Sequence, residues 1–299
     1  MEIRVLRYFL AVAREENISQ AAEVLHITQP TLSRQISQLE EELGVQLFTR
    51  GKHLSLTDAG VMLRRRAEEV TDLMDRIESE FAEPEEVGGR IAIGEGALSS
   101  SALLMETMMR FREKYPKVQY AIYMNTADYI REQLDKGLCD FGLLLEPVDI
   151  EKYDFLRMPG KEVWGLFMSK DHPLAEREAI RKEDLAGIPL ITPSRLSVQK
   201  EISGWLGEDV DRLNVFGTCN IVTNAQIMVE TGDICFMAVK GAMDSIQTDR
   251  LVFRPLYPEL TLTSVLVWKK FQPVSAAAGK FLDEIKRVCR NSGAESGRR

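Results

Sequence analysis

The side chains with chemistry to offer fall into two groups, and only one of them has the companions its chemistry requires. Ser197-Val-Gln-Lys200 sets a serine and a lysine one helical turn apart. That is the spacing at which an amine can activate a hydroxyl nucleophile, but the accompanying motifs of such enzymes are absent. Gly94-Glu-Gly96 follows a strand pattern and precedes a helix pattern, as a dinucleotide fingerprint does. It lacks the third glycine, and the following strand ends in Asn125-Thr126 where a ribose-binding acid belongs. His26, His53 and His172 are the whole histidine complement, too few and too scattered for a triad or a metal cluster. Cys139, Cys219, Cys235 and Cys289 show no zinc-type pairing. Cys219 and Cys235 would serve a redox sensor only with a lowered pKa and exposure, so inert thiols are expected. Neither catalysis, a metal nor a cofactor is expected.

The second group is Gln29, Thr31, Ser33, Arg34 and Gln38, short or forked donors and acceptors suited to base edges and phosphates. Leu32, Ile36, Leu39 and Leu43 recur among them at helical spacing, which turns the polar set to the opposite face. Thr28 is the expected cap of this helix and Pro30 falls in its first turn, where a missing N–H costs nothing. A shorter helix precedes it, with Ser19 as the expected cap. An earlier one over Ile3 to Arg14 carries Leu6, Phe9, Leu10 and Ala13 on one stripe, giving the pair a core to close on. After Gly44, two alternating apolar stretches flank Gly51 and predict a hairpin with a basic tip of Arg50, Lys52 and His53, placed for a phosphate backbone or a minor groove. Three helices and a wing make a DNA-reading head, with the second helix of the pair entering the major groove by its N-terminal end.

Residues 1 to about 65 resemble the winged helix-turn-helix of the LysR-type transcriptional regulators. The resemblance is carried by Leu6, Tyr8, Phe9, Ser19-Gln-Ala-Ala22, Gln29-Pro30, Leu32-Ser33-Arg34, Leu39-Glu40, Leu43-Gly44, Leu47-Phe48, Arg50 and Leu56-Thr-Asp-Ala-Gly60. It implies a sequence-specific regulator of double-stranded DNA, with Ser19, Gln29, Pro30, Thr31, Ser33, Arg34, Arg50, Lys52 and His53 as the contact set. A small-molecule effector domain is then expected downstream. The formal charge of −8 excludes a protein that coats nucleic acid through a broad basic surface. Residues 1–66 carry a net +1 and the remainder −9, so DNA contact must be local.

From Thr57 to Glu83 the apolar positions Leu63, Ala67, Val70, Met74, Ile77 and Phe81 alternate by four and three, a coiled-coil seam. A helix there spans roughly 40 Å at 1.5 Å per residue and calls for a partner helix. Two reading heads fit half-sites about one DNA turn, ~34 Å, apart or a multiple of it. The resemblance implies that this linker makes a homodimer, favours a homotetramer and adds RNA polymerase as a partner. Pro84 ends the helix, and Gly88-Gly89 supplies a hinge. The domains expected are therefore 1–60, a winged helix-turn-helix; 61–87, a linker helix; and 88–299, an effector-binding half.

From Arg90 strands alternate with helices, which predicts an α/β half built on a parallel sheet. Strands are expected near 91–94, 118–124, 141–145, 163–168, 189–191, 235–239 and 262–268. Helices are expected near 100–114, 128–136, 198–206, 224–231 and 275–290, with a frayed tail from Asn291. This order resembles the two-lobed, periplasmic-binding-protein-like effector domain of the same family, with Asp171-His-Pro-Leu-Ala175 and Glu183-Asp-Leu-Ala-Gly-Ile-Pro-Leu-Ile191 carrying the match. Lobe one is expected over 90–160 and 266–299, and lobe two over 161–265. Loops that open helices at the strand ends favour anions. Those loops, and the resemblance, nominate Ser99, Ser100, Ser101, Thr126, Pro193, Ser194, Asn220 and Asn224 for an anionic or polar effector. The N-terminus has no signal-peptide pattern and no apolar run approaches a membrane span, so a cytoplasmic protein without a membrane partner is expected.

Overall fold

A computed structural model describes the chain except for residues 50–53, 82–86, 208–212, 221–222, 224, 245–247, 273 and 297–299. Contacts divide the chain into two units, Met1–Glu83 and Pro84–Arg299.

The first unit is built from α1 (Ile3–Glu15), α2 (Ile18–Val24) and α3 (Gln29–Leu43). Asn17, not Ser19, caps α2: its side-chain oxygen accepts from the N–H groups of Ser19 (2.9 Å) and Gln20 (3.2 Å). The helix therefore starts earlier than expected and leaves the Ser19 side chain exposed. Thr28 sits at the N-cap of α3, and Gly44, at φ 69°, ends it in the left-handed conformation that glycine adopts without strain. Phe9, Leu32, Leu39 and Leu47 are buried, and the Phe9 and Phe48 rings stand 5.4 Å apart. Each such side chain contributes about 1.5–3 kcal/mol of burial.

The wing is the antiparallel pair β1 (Phe48–Thr49) and β2 (Ser55–Leu56). Buried Glu40 ties it to α3, its Oε1 accepting from the N–H groups of Leu47 (2.8 Å) and Phe48 (3.1 Å). The Thr57 hydroxyl accepts from Gly60 N–H (3.0 Å) at the start of α4 (Asp58–Phe81). Gly60 is required there, because a Cβ would stand 2.1 Å from the Leu47 carbonyl oxygen. The expected seam of α4 is divided in two. Leu63 and Ala67 pack into the head core, whereas Val70, Leu73 and Ile77 form an exposed stripe.

The second unit holds two sheets. One has the order β4-β3-β5-β13-β6, from β3 (Gly89–Glu95), β4 (Val118–Met124), β5 (Phe141–Leu145), β6 (Tyr153–Arg157) and β13 (Ser264–Lys269). The other has the order β11-β7-β10-β8-β9, from β7 (Glu162–Ser169), β8 (Pro189–Pro193), β9 (Asn214–Cys219), β10 (Cys235–Val239) and β11 (Leu251–Pro255). A short strand, β12 (Thr261–Leu262), adds to β7. The sheets are mixed rather than parallel. Antiparallel neighbours occur where the chain passes between lobes: it leaves lobe one after β6 and returns along β13, and the two strands pair in opposite directions. β7 and β11 do the same in lobe two. Ser264 pairs with Leu145, so the return to lobe one begins there rather than at 266.

Helices α5 (Ser101–Lys114), α6 (Ala127–Asp135) and α10 (Ala276–Ser296) clothe the first sheet. α7 (Leu196–Leu206), α8 (Gln226–Thr231) and α9 (Gly241–Asp244) belong to the second lobe. α10 runs past Asn291 to Ser296, and within it the Ser292 hydroxyl donates back to the Val288 carbonyl at 3.1 Å. Gly94 and Gly142 lie under Ile130, and a Cβ on either would come within 2.7 and 2.8 Å of its Cγ2. Gly94, the first glycine of the sequence that imitates a dinucleotide fingerprint, thus works with Gly142 to let α6 settle directly on the sheet.

Candidate functional site

On α3 the core residues Leu32, Ile36 and Leu39 fix the helix by its inner face, leaving Gln29, Pro30, Thr31, Arg34 and Gln38 exposed and Ser33 half-buried. Thr28 and Thr31 share a hydroxyl–hydroxyl bond of 2.8 Å across the first turn. Among the described residues the Arg34 guanidinium makes no hydrogen bond or ion pair. The Arg64 to Arg66 run on α4 is differently placed: Arg64 pairs with Glu68 (3.0 Å), and Arg65 and Arg66 with Glu69 (3.7 and 2.8 Å). Arg50, Lys52 and His53 lie outside the described residues.

In the second unit a cleft runs between the lobes. Its inner part, about 160 Å³, is lined by Leu98, Ile130, Leu143, Trp164 and Val198, with Asn125, Thr126, Pro193, Ser194, Arg195 and Asn220 around them. The outer part adds Asp128, Arg131, Pro147 and Asp149. Four of the expected effector residues, Thr126, Pro193, Ser194 and Asn220, are brought together here; Asn224 lies outside the described residues. The Thr126 hydroxyl accepts from Tyr129 N–H (3.3 Å) as the cap of α6, so it is a cap and a lining residue at once.

Ser99, Ser100 and Ser101 do not line the cleft. The Glu162 carboxylate accepts from the Ser99 and Ser100 N–H groups at 2.8 and 3.2 Å. The Ser100 hydroxyl meets the Ser264 hydroxyl at 2.8 Å, and that of Ser101 donates to the Gly96 carbonyl at 3.3 Å. The start of α5 is an anion site, as expected of a helix N-terminus, but its anion is supplied by the chain itself.

Two cleft residues were not anticipated in these roles. Arg195, at the N-cap of α7 in lobe two, donates to the carbonyls of Leu145 (3.0 Å) and Pro147 (2.6 Å) in lobe one, latching the mouth. Burial, then the proximity of Arg131, lowers its pKa against the opposing pull of Asp128. Trp164, on β7, is buried against the cleft, and among the described residues its indole N–H has no hydrogen-bond partner. A lone arginine in a loop and an aromatic in an apolar strand give no local sign of either role.

Residues 3–61 match the family model for the bacterial regulatory helix-turn-helix proteins of the lysR family, and residues 84–290 match that for the LysR substrate binding domain. The chain belongs to the LysR family of bacterial transcriptional regulators. It is a regulator with a helix-turn-helix DNA-binding domain and an effector-binding domain, not an enzyme. This LysR-family chain is 33% identical over 194 residues to the HTH-type transcriptional regulator BsdA of Bacillus subtilis, covering 64% of this chain and 66% of BsdA. It is 27% identical over 275 residues to the Hca operon transcriptional activator HcaR of Escherichia coli, covering 90% and 92%. The fold is similar to that of CbnR, a LysR family transcriptional regulator, with a TM-score of 0.73 and 21% identity over 97% of this chain and 99% of CbnR. CbnR has also been solved in complex with its target DNA.

For a LysR-family regulator the serine–lysine pair of α7 needs no catalytic reading, and its Ser197 hydroxyl donates to the Pro147 carbonyl at 3.4 Å. His172 caps a turn through Nδ1 and faces the Cys235 sulfur at 3.6 Å. His26 occupies the α2–α3 turn at φ 54°. Among the described residues no group of side chains could hold a metal, and no helix is long and apolar enough to cross a membrane.

Proposed function

We propose that the operator is read by the outer face of α3, with Gln29, Pro30, Thr31, Ser33 and Arg34 entering the major groove. Ser19 meets the backbone, and Arg50, Lys52 and His53 of the wing tip reach phosphates or the minor groove. The observation that carries this reading is Arg34, exposed and without an intramolecular partner among the described residues on a helix locked from behind. An unspent guanidinium fork is the group best suited to guanine.

The effector, a small anionic or polar molecule, occupies the lobe cleft against Thr126, Pro193, Ser194 and Asn220, with Asn224 nearby in sequence. Response follows when it favours one arrangement of the protein over another by the free energy of the shift it causes. The protein works in the cytoplasm as a homodimer through Val70, Leu73 and Ile77 of α4, whose exposure in the single chain supports a partner helix. A tetramer needs a second surface. Ile122 and Met124 on edge strand β4, and Val215 and Phe216 on edge strand β9, are exposed and supply apolar area for it. RNA polymerase is the partner through which bound protein changes transcription.

Footprinting of the purified protein over the DNA beside its own gene, with and without cell metabolites, tests the reading. Two protected half-sites a whole number of turns apart, altered by a metabolite fraction, are expected. Absence of any protected sequence at moderate salt would overturn it.

A further inference from the structure

The effector half is acidic, yet one end of lobe one gathers lysines that no carboxylate neutralises. The topology brings them together. β3 and β4 start there side by side, with Gly89 opposite Val118, and β13 ends there beside the start of β6, with Lys269 opposite Tyr153. The Lys269 Nζ donates to the Asp135 carbonyl in the last turn of α6 (2.7 Å), and the Lys270 Nζ to the Glu151 carbonyl (2.8 Å). The Lys270 N–H meets the Lys152 carbonyl at 3.1 Å. Lys114, which ends α5, and Lys280, near the start of α10, stand 5.3 and 5.4 Å from the centre of the Tyr115 ring. Among the described residues none of these five lysines is in an ion pair. Arg64, Arg110, Arg131, Arg157 and Arg287, by contrast, each hold a carboxylate.

The acids at this end have other duties. Asp140 accepts from Ala92 N–H (2.7 Å), Asp135 from the Tyr153 hydroxyl (2.9 Å), and Glu132 pairs with Lys136 (2.6 Å), while Glu113 and Glu151 are exposed. The dipole at a helix C-terminus accounts for Lys114. It does not account for Lys280, at the opposite kind of helix end, or for Lys152, which precedes a strand. Lys114, Lys152 and Lys280 are exposed, and an ammonium offers three donors. This is also the end at which the chain enters the effector half, because β3 is its first strand and Gly89 N–H donates to the Lys117 carbonyl (3.4 Å).

We propose that this end of lobe one is a second DNA-contacting surface, which holds phosphates of the duplex outside the sequence read by the head. Lysine suits that task as a compact charge on a flexible stem, without the planar fork that reads a base. The contact adds affinity and length of duplex covered, and it adds no sequence preference. Part of the grip on DNA then resides in the half that binds the effector. The inference does not depend on which residues of α3 meet bases.

The test is binding of the full chain to a duplex of about 60 base pairs from beside its own gene, and to a random duplex of equal length, at about 50 to 200 mM salt. Lys114→Gln with Lys152→Gln and Lys280→Gln is expected to weaken both duplexes several-fold. The slope of log affinity against log salt should fall by about two to three per bound chain, at ~0.9 per phosphate contact. The preference between the two duplexes should stay as it is. If the triple variant does not fold, Lys152→Gln and Lys280→Gln singly should each remove about one from the slope. Lys170→Gln with Lys200→Gln and Lys240→Gln changes the net charge equally on exposed positions of lobe two and is expected to leave the slope unaltered. Phe271→Ala removes a fully exposed ring beside Lys270 that phosphates do not need, and it should bind as wild type does. An unchanged slope in the first variant, or an equal fall in the lobe-two variant, would overturn the inference. An equal loss from Phe271→Ala would make this end a protein-docking surface and overturn it as well.

Discussion

Glu162 and Ser99 belong to different lobes, and the carboxylate of the one accepts the backbone N–H of the other at 2.8 Å. The contact sits beside both chain crossings, since Glu162 also pairs with Leu262 on the returning strand. Glu162→Ala strips acceptors from two N–H groups and is expected to destabilise the effector half by about 1–3 kcal/mol. Glu162→Gln keeps one acceptor oxygen and should lose less. Urea unfolding monitored by fluorescence measures both, and equal stability of Ala and wild type would show the contact to be incidental.

Arg34→Ala is expected to weaken operator binding by about 1–3 kcal/mol and to relax preference at one base pair. Lys52→Ala should instead weaken all duplexes evenly and reduce the salt slope by about one. Binding isotherms on operator and scrambled DNA at several salt concentrations distinguish the two. A uniform loss from Arg34→Ala would make it a phosphate contact.

The α4 stripe predicts the assembly. Leu73→Glu with Ile77→Glu places charges on exposed positions, so the single chain keeps its fold while the paired helices repel. Light scattering should report half the mass or less, with the circular dichroism spectrum unchanged. Retention of wild-type mass would move the interface elsewhere.

Thiol reactivity has a defined order. Burial raises Cys235 to about 12, with Asp233 adding to it, and Cys289 to about 11. At neutral pH the reactive thiolate of each is a fraction on the order of 10⁻⁴ or below. Half-exposed Cys219 should therefore alkylate first. The rates at Cys235 and Cys289 should rise about tenfold per pH unit toward those values, while the fold holds. Rapid modification of Cys235 at pH 7 would reopen a redox role.

What was readable in the chain was local. The periodicity of Leu32, Ile36 and Leu39 and the glycine at 44 define α3 because those signals act within a few residues. Asn17 and Ser19 are equally good caps in the sequence, and only the path of the preceding turn decides for Asn17. β9 is not legible in the sequence because a half-covered edge strand such as Asn214–Cys219 shows no strong alternation. Thr126, Pro193, Ser194 and Asn220 can be nominated because each lies in or beside a loop that opens a helix. Ser99, Ser100 and Ser101 meet the same criterion and fail it in space: the partner of Ser99 and Ser100, Glu162, arrives from 63 and 62 residues away, and the Ser101 hydroxyl turns back to the Gly96 carbonyl. Arg195 and Trp164 were silent for the same reason, since each takes its role from the opposite lobe or from the hollow it faces.

The hold of Glu40 on the first residues of the wing has a wider consequence. One buried carboxylate fastens α3 to the ribbon beside it, so on the proposed reading a head would meet its half-site as a single stiff tool. A signal from the sensing half would then leave the grammar of an individual contact untouched. In the proposed assembly the variable left to it would be the distance and bearing from one head to the next, a vocabulary of geometry.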